Sequence, residues 1–137
     1  MEQQFADGIS DSPQAPGKAL NVTLWVLQIG AALMFFFVGT LKLAGSPELV
    51  ALFDAIGIGQ WFRYLTGGLE VLGAATLLVP RLSGAGALML VGVMVGAIAT
   101  HSIIGGSPVA ALVLLVVTAI IAWGRRERTL ALLGGSR

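Results

Sequence analysis

One carboxylate, Glu70, lies inside an otherwise apolar stretch, "RYLTGGLEVLGAATLLVPR", which runs from residue 63 to residue 81. A buried carboxylate without a partner is costly, so this residue needs a cation or a hydrogen-bond donor close to it. Two candidates occur where other apolar stretches end, Lys42 in "GTLKL" and His101 in "ATHSII". A lysine–glutamate pair beside a histidine can bind a polar head group or relay protons to one.

These groups must be positioned by four apolar segments, at about residues 20–41, 64–80, 84–104 and 109–124. Only 11% of the 137 residues are charged, whereas a soluble domain carries about 25%. Each segment approaches the roughly 20 residues that a helix needs to cross a bilayer, and no polar–apolar alternation favours a barrel. A soluble core of this size has too little interior for four such helices. We therefore predict an all-α integral membrane four-helix bundle, a single domain over residues 19–126.

The composition excludes several classes of site. The chain has no cysteine, which removes disulfides, thiol redox chemistry and iron–sulfur clusters. A single histidine does not build a metal site without several carboxylates, so no metal site is predicted. The net charge of +1 gives no indication of nucleic-acid binding.

The basic residues predict the orientation of the chain. We expect residues 1–18 to be a disordered cytoplasmic tail and residues 127–137 to be a cytoplasmic C-terminal tail. With four spans both termini share one side, and Arg63 and Arg81 frame the second span, snorkelling to opposite surfaces. The side of the termini carries six basic residues against two, Lys42 and Arg63, on the other: Lys18, Arg81, Arg125, Arg126, Arg128 and Arg137. The chain is thus predicted to be a multi-pass protein of the inner (plasma) membrane with both termini in the cytoplasm.

A short amphipathic helix is predicted between the first two spans, in "SPELVALFDAIGIGQWF". Ser46 is a candidate N-cap and Pro47 suits the first helical position. Leu49, Leu52, Phe53 and Ile56 repeat at the spacing of one helical face. We expect this helix to lie on the outer surface of the membrane.

We predict that Lys42, Glu70 and His101 meet in a polar pocket at the outward end of the bundle, and that other polar side chains share it. The candidates that join Lys42, Glu70 and His101 are Thr40, Thr66, Thr100, Gln28 and Tyr64. Three roles stay open for this group: a ligand or proton site, an ion pair that only fixes helix register, or a contact with another protein. A small-residue stripe at Gly92 and Gly96 serves internal packing or a homo-oligomer equally.

At these residues the chain resembles the DoxX-like family of small four-helix membrane proteins. The resemblance runs from about Asn21 to Arg126. It rests on the lysine in "GTLKL", on the second span "GGLEVLGAATLLVPR" and on the histidine in "ATH". It implies that the family's polar residues are Lys42, Glu70 and His101. Relatives include a subunit of a thiosulfate:quinone oxidoreductase, proteins linked to oxidative-stress complexes, and proteins that assist receptor assembly or cargo export.

Two functions follow as hypotheses. The first is a quinone-linked or redox-associated subunit, whose pocket binds a quinone or another lipid while a partner protein supplies the electrons. The second is a membrane assembly or chaperone-like scaffold that binds other membrane proteins, with the Lys42–Glu70 pair purely structural. A small transporter is disfavoured because the four helices are short and unbroken. No catalytic residue is assigned, no other cofactor is evident, and whether the chain is an enzyme stays open.

Overall fold

The computed structural model describes residues 17–134, and every regular element in this range is an α-helix. Six helices follow one another: α1 (Lys18–Ala44), α2 (Pro47–Ile56), α3 (Trp61–Leu77), α4 (Ser83–Ile104), α5 (Val109–Gly124) and α6 (Arg126–Leu133). The predicted all-α class is therefore confirmed. The predicted N-terminal tail lies outside the described residues except for its last two positions, and α6 occupies most of the segment predicted as a C-terminal tail.

The four longest helices pack in a closed order: α1 on α3, α3 on α4, α4 on α5 and α5 on α1. The core between them is apolar and includes Phe35, Leu90 and Ile121, which are buried. Glycine permits the close approach of α3 to α4, because a Cβ added to Gly73 would lie 2.5 Å from the Leu90 side chain. This packing fixes which faces of the helices point at one another.

A tight turn connects α1 to α2. Gly45 ends α1 with a positive φ of 77°, a conformation that glycine adopts without steric cost. After Ser46, α2 begins at Pro47 as the sequence predicted, and its apolar face buries Phe53 while Asp54 stays exposed. The Ser46 hydroxyl makes no cap bond and instead donates to Glu48 Oε2 at 2.8 Å. The turn thereby folds α2 back over the end of α1.

Two of the described helices, α1 and α4, are long and apolar enough to cross a membrane. A third candidate is formed by α5 and α6 together, which are bent by 63° at the break between them. The 17-residue α3 is shorter than the roughly 20 residues of a typical span. Residues 17–134 thus contain two candidate spans, or three if the bent pair counts as one, where the sequence predicted four.

Candidate functional site

A cavity of about 410 Å³ lies among α2, α3 and α4, at the end of the molecule where α1 stops. Its walls are mainly apolar, with Ile56 from α2, Leu69 from α3 and Val93 from α4. Five polar side chains also line it: Lys42, Thr66, Glu70, Thr100 and His101. Small-molecule sites have volumes of about 300–1,000 Å³ and this kind of lining, apolar with a few polar groups. We call this space the Glu70 cavity.

An ion pair joins α1 to α3 at the edge of the Glu70 cavity. Lys42 Nζ lies 2.5 Å from Glu70 Oε1, and the Glu70 side chain is only 1% exposed. Lys42 also lies over the Phe53 ring, 5.8 Å from its centroid, so α2 covers the pair on one side. Removing one partner of such a buried pair leaves an uncompensated charge, which is strongly destabilising.

Two facing glycines bring the pair together. A Cβ added to Gly67 would lie 2.8 Å from Lys42 Cβ, and one added to Gly39 would lie 2.9 Å from the Gly67 carbonyl oxygen. Any larger residue would therefore push α1 away from α3. Glu70 follows Gly67 by one helical turn on the same face of α3, where Lys42 reaches it.

Among the described residues, only one oxygen of the Glu70 carboxylate has a hydrogen-bond partner. Its Oε2 is buried and accepts no hydrogen bond from the described residues. Glu70 is itself one of the residues that line the cavity, so this unpartnered oxygen belongs to a side chain at the wall of that space. The Lys42 ammonium carries three N–H donors, and one of them donates to Glu70 Oε1. Together the pair offers a free acceptor and free donors beside an apolar space.

His101 lies on the opposite wall of the cavity, near the end of α4. It is partly buried, and its Nδ1 has no hydrogen-bond partner among residues 17–134. The Gly106 backbone covers this nitrogen, because a Cβ added to Gly106 would lie 2.6 Å from it. Nδ1 is therefore closed to a molecule in the cavity, and the other ring nitrogen, Nε2, is the one that can donate or accept a hydrogen bond there.

Arg63 has a structural role that the sequence did not reveal. It was expected to snorkel to the membrane surface, but it is only 4% exposed. Its Nη1 donates to the Lys42 carbonyl oxygen, and its Nε donates to Gln60 Oε1 at 2.6 Å. The carbonyl groups of the last turn of any helix lack partners within that helix. Arg63 provides a hydrogen-bond donor for one of these carbonyl groups, that of Lys42, and so anchors the end of α1 that carries Lys42.

Three of the predicted pocket residues do not line the Glu70 cavity. Thr40 is exposed on α1, and Tyr64 is 53% exposed, with the Arg63 guanidinium 4.3 Å from its ring centroid. Gln28 shares the helical stripe of Lys42, but about 21 Å of helix separates the two residues at about 1.5 Å per residue. Gln28 and Lys42 therefore share one face of α1, but Gln28 lies at the other end of the molecule.

There Gln28 belongs to a second buried polar group, which we call the Arg125 cluster. Arg125 is 1% exposed; its Nε donates to Gln28 Oε1 at 2.7 Å and its Nη1 donates to Asn21 Oδ1 at 2.8 Å. Gln28 Nε2 in turn donates to the Leu77 carbonyl oxygen at 2.7 Å. The cluster ties the start of α1 to the ends of α3 and α5.

From the sequence, Arg125 was predicted to be one of several basic residues that flank the spans on the side of the termini. The one local signal is Gly124, directly before it, where an added Cβ would lie 2.6 Å from the Leu24 side chain. This glycine lets α5 approach α1 closely enough to bury the next residue. A glycine before an arginine is too common a pair to have identified the cluster.

The residues 17–134 bring no three His, Cys, Asp or Glu side chains together as a metal site would require.

A family model described as the DoxX-like family matches residues 26–124. This range includes Lys42, Glu70 and His101. No curated protein and no solved structure matches the chain.

Proposed function

The chain belongs to the DoxX-like family and is a membrane protein, and from this premise we propose that its Glu70 cavity binds a lipid-soluble ligand with a polar head, of the quinone type. One observation carries the proposal. A buried carboxylate at the wall of a largely apolar cavity is paired through one oxygen with Lys42, while its second oxygen has no hydrogen-bond partner among residues 17–134. In this proposal the protein is a quinone-linked subunit, and a partner protein supplies the electrons.

The proposed membrane arrangement is a four-helix bundle with four spans over residues 19–126. At about 1.5 Å per residue, α3 is about 26 Å long and α5 about 24 Å long, slightly short of a hydrocarbon core of about 30 Å. A short helix is accommodated by local thinning of the bilayer and by its flanking residues. Exposed apolar side chains along α5, such as Leu112, Val116 and Ile120, support contact with lipid.

The positive-inside rule supports an inner-membrane protein with both termini, and the tails over 1–18 and 127–137, in the cytoplasm. The Glu70 cavity then opens at the outward end, below α2 on the membrane surface. A ligand that partitions into the bilayer reaches this depth without crossing a polar barrier. The same placement makes the Lys42–Glu70 pair an intramembrane ion pair.

The chemistry of the cavity fits both forms of a quinone. A quinol hydroxyl can donate to Glu70 Oε2, which accepts from no donor of the described residues, and a quinone carbonyl can accept from Lys42 or His101. Hydrogen bonds to charged groups are the stronger kind. Reduction and oxidation of a quinone also move protons, and Glu70, Lys42 and His101 are groups that can exchange them.

The test uses two glycines that are alike except for their position. An added Cβ meets nothing within 4 Å at Gly96, which lines the cavity, or at Gly30 on α1, which does not. The protein is extracted with native lipids, and bound quinone is measured per molecule of protein. We expect Gly96→Leu to lose the quinone because the leucine occupies the cavity, and Gly30→Leu to retain it. Wild-type quinone content in Gly96→Leu would falsify the proposal.

A second variant tests the role of the carboxylate. Glu70→Gln keeps the shape of the side chain but replaces the charged acceptor. Because a charge-assisted hydrogen bond is lost, quinone affinity should fall by about tenfold. Unchanged affinity would assign Glu70 a purely structural role.

One observation favours the scaffold as a second candidate function. Gly92 and Gly96 are exposed on α4, and no side chain of the described residues packs against them. This stripe, which also belongs to the wall of the Glu70 cavity, can receive a helix of a client protein or of a second copy of this chain. The chain lacks cysteine, so Val95→Cys on α4 and Val26→Cys on α1, both more than half exposed, form a matched crosslinking pair. Adducts specific to Val95→Cys would favour the scaffold.

A further inference from the structure

A second cavity, of about 400 Å³, lies at the opposite end of the molecule from the Glu70 cavity. It lies between α6 and the turn that connects α3 to α4. Its lining consists of Pro80, Arg81, Arg128, Ala131 and Leu132. Two guanidinium groups thus face a small apolar space with no acidic residue in its lining. Guanidinium groups bind phosphate oxygens through paired N–H donors.

The two arginines differ in how much of their hydrogen-bonding capacity is used. Arg128 Nη1 donates to the Pro80 carbonyl oxygen at 2.8 Å and to Ser83 Oγ at 3.2 Å, which fixes the side chain over the turn. Arg81 is exposed and makes no hydrogen bond within residues 17–134. One arginine is therefore held in position, and the other has all its donors available.

The arginines at this end form no salt bridge in the described part of the chain. Arg125 lies one turn before Arg128 and is buried, and its Nη2 has no hydrogen-bond partner there. Burial lowers the pKa of Arg125, and the neighbouring Arg128 charge lowers it further. The Lys42–Glu70 pair is the one salt bridge within 17–134, so these arginines are not ion-paired. Glu127, which directly precedes Arg128, is exposed and makes no salt bridge with them. An anion bound between Arg81 and Arg128 would relieve this repulsion.

The apolar side chains beside the cavity indicate what kind of anion it is. Beside the two arginines, the lining consists of Pro80, Ala131 and Leu132, and Ala131 is exposed. This apolar wall offers nothing to a soluble phosphate, whereas it can contact the acyl chains of a lipid. Guanidinium groups next to such a wall match a molecule with a phosphate head and an apolar body.

We propose that this cavity binds the phosphate of an anionic phospholipid, with Arg81 and Arg128 as its donors and Ala131 and Leu132 of α6 against the acyl chains. The bound lipid would hold α6 in the plane of the membrane surface. This site is independent of the Glu70 cavity and of the quinone assigned to it above.

The experiment compares charge-matched variants of the full-length protein in detergent. Phosphatidylglycerol is titrated, and bound lipid is counted by native mass spectrometry; phosphatidylcholine is the zwitterionic control. Arg81→Gln removes a donor that makes no bond within the described protein. Arg126→Gln is the matched control, because Arg126 is exposed, donates to the Trp123 carbonyl oxygen and does not line the cavity. Ala131→Trp fills the cavity without changing any charge.

We expect Arg81→Gln to weaken phosphatidylglycerol binding by about tenfold, the effect of one charge-assisted hydrogen bond. Ala131→Trp should weaken it as well, while Arg126→Gln should bind as the wild type does, with helicity by circular dichroism unchanged in all three. Equal binding of the two lipids by the wild type, or equal losses in Arg81→Gln and Arg126→Gln, would overturn the proposal. Displacement of the lipid by an equal concentration of glycerol phosphate would also overturn it. The site would then bind the phosphate group alone, without any contribution from the acyl chains.

Discussion

The Glu70 cavity and the Arg125 cluster both bury a charged side chain, but they neutralise it by different means. Glu70 lines a cavity and is paired with a full opposite charge, Lys42, while its other carboxylate oxygen has no partner in the described part of the chain. Arg125 is held by two neutral amide oxygens, from Gln28 and Asn21, and lines neither cavity. The first arrangement leaves an unpartnered group at the wall of a cavity, whereas the second uses Nε and Nη1 of Arg125 to fasten helices together and has neither cavity beside it.

The comparison shows that a buried charge alone does not indicate a ligand site. Both groups are almost inaccessible, and both join α1 to a later helix. What distinguishes them is the space around them and the hydrogen bonds left unmade at the edge of that space. For this reason we assign ligand binding to the Glu70 cavity and a structural role to the contact between Arg125 and Gln28.

The largest effect is expected when the ion pair of the cavity is broken from the lysine side. Lys42→Met leaves Glu70 buried without a cation, and the loss should be about 3–5 kcal/mol of unfolding free energy. Unfolding followed by circular dichroism in mixed micelles measures it. The double variant Lys42→Met/Glu70→Gln should recover much of the loss, because the charge is then gone. Equal losses in the single and double variants would show that Glu70 does not depend on Lys42.

The Arg125 cluster is expected to respond with a smaller loss of stability and no loss of ligand. Arg125→Met strands the Gln28 and Asn21 oxygens, and we expect a cost of about 2–3 kcal/mol because hydrogen bonds to a charged group are lost. Arg126→Met is the control, since Arg126 is exposed. Quinone content per folded molecule should stay at the wild-type level. Loss of quinone in folded Arg125→Met would break the division between the two regions.

The glycines that hold α1 against α3 sharpen the comparison further. A Cβ at Gly39 would lie 2.8 Å from Val71 Cγ2 and 2.9 Å from the Gly67 carbonyl oxygen, so Gly39→Ala should cost about 1–3 kcal/mol by overpacking. Gly30→Ala, on the same helix with nothing within 4 Å, should be neutral or slightly stabilising. Thermal unfolding of the two variants side by side distinguishes them. Equal melting temperatures would mean that the close approach of α1 to α3 is not required.

The smallest effect is expected at Glu48, an exposed acid that contrasts with the buried Glu70. The Ser46 hydroxyl donates to Glu48 at 2.8 Å and lowers the pKa of its carboxyl group below the ordinary value. The small stabilisation linked to this shift is present above the unfolded-state pKa and is lost as pH falls through the folded-state pKa. In Ser46→Ala the pKa of Glu48 should move up toward its ordinary value, as measured by NMR titration. An unchanged pKa would remove the hydroxyl as its cause.

Some of the fold could be predicted because it depends on local pattern. The apolar segments predicted at 20–41 and 84–104 correspond to α1 and α4, and the Ser46–Pro47 start and the spacing of apolar residues located α2. Helix type follows from such runs because the backbone of an apolar segment must satisfy its own hydrogen bonds. The number of spans is a harder inference, since α3 and α5 have 17 and 16 residues.

Part of the candidate site could be predicted for an energetic reason. A carboxylate in an apolar helix requires a partner, and the sequence offered Lys42 as a candidate within reach. Gln28 was assigned to the same site because helical spacing tells which residues share a stripe but not what faces each part of it. The roles of Arg63 and Arg125 were hidden for the same reason, because both appear in the sequence as ordinary flanking charges.

The sequence by itself determined the helical class and the need of Glu70 for a cation, because hydrophobic periodicity and the cost of burying a charge act within short segments. The tertiary structure alone decided that Arg125 is buried against Gln28, that Arg63 anchors the end of α1, and that an open space adjoins the Lys42–Glu70 pair. These features depend on how closely helices distant in the chain approach one another. That distance is set by glycines such as Gly39 and Gly67, whose contacts exist only after packing.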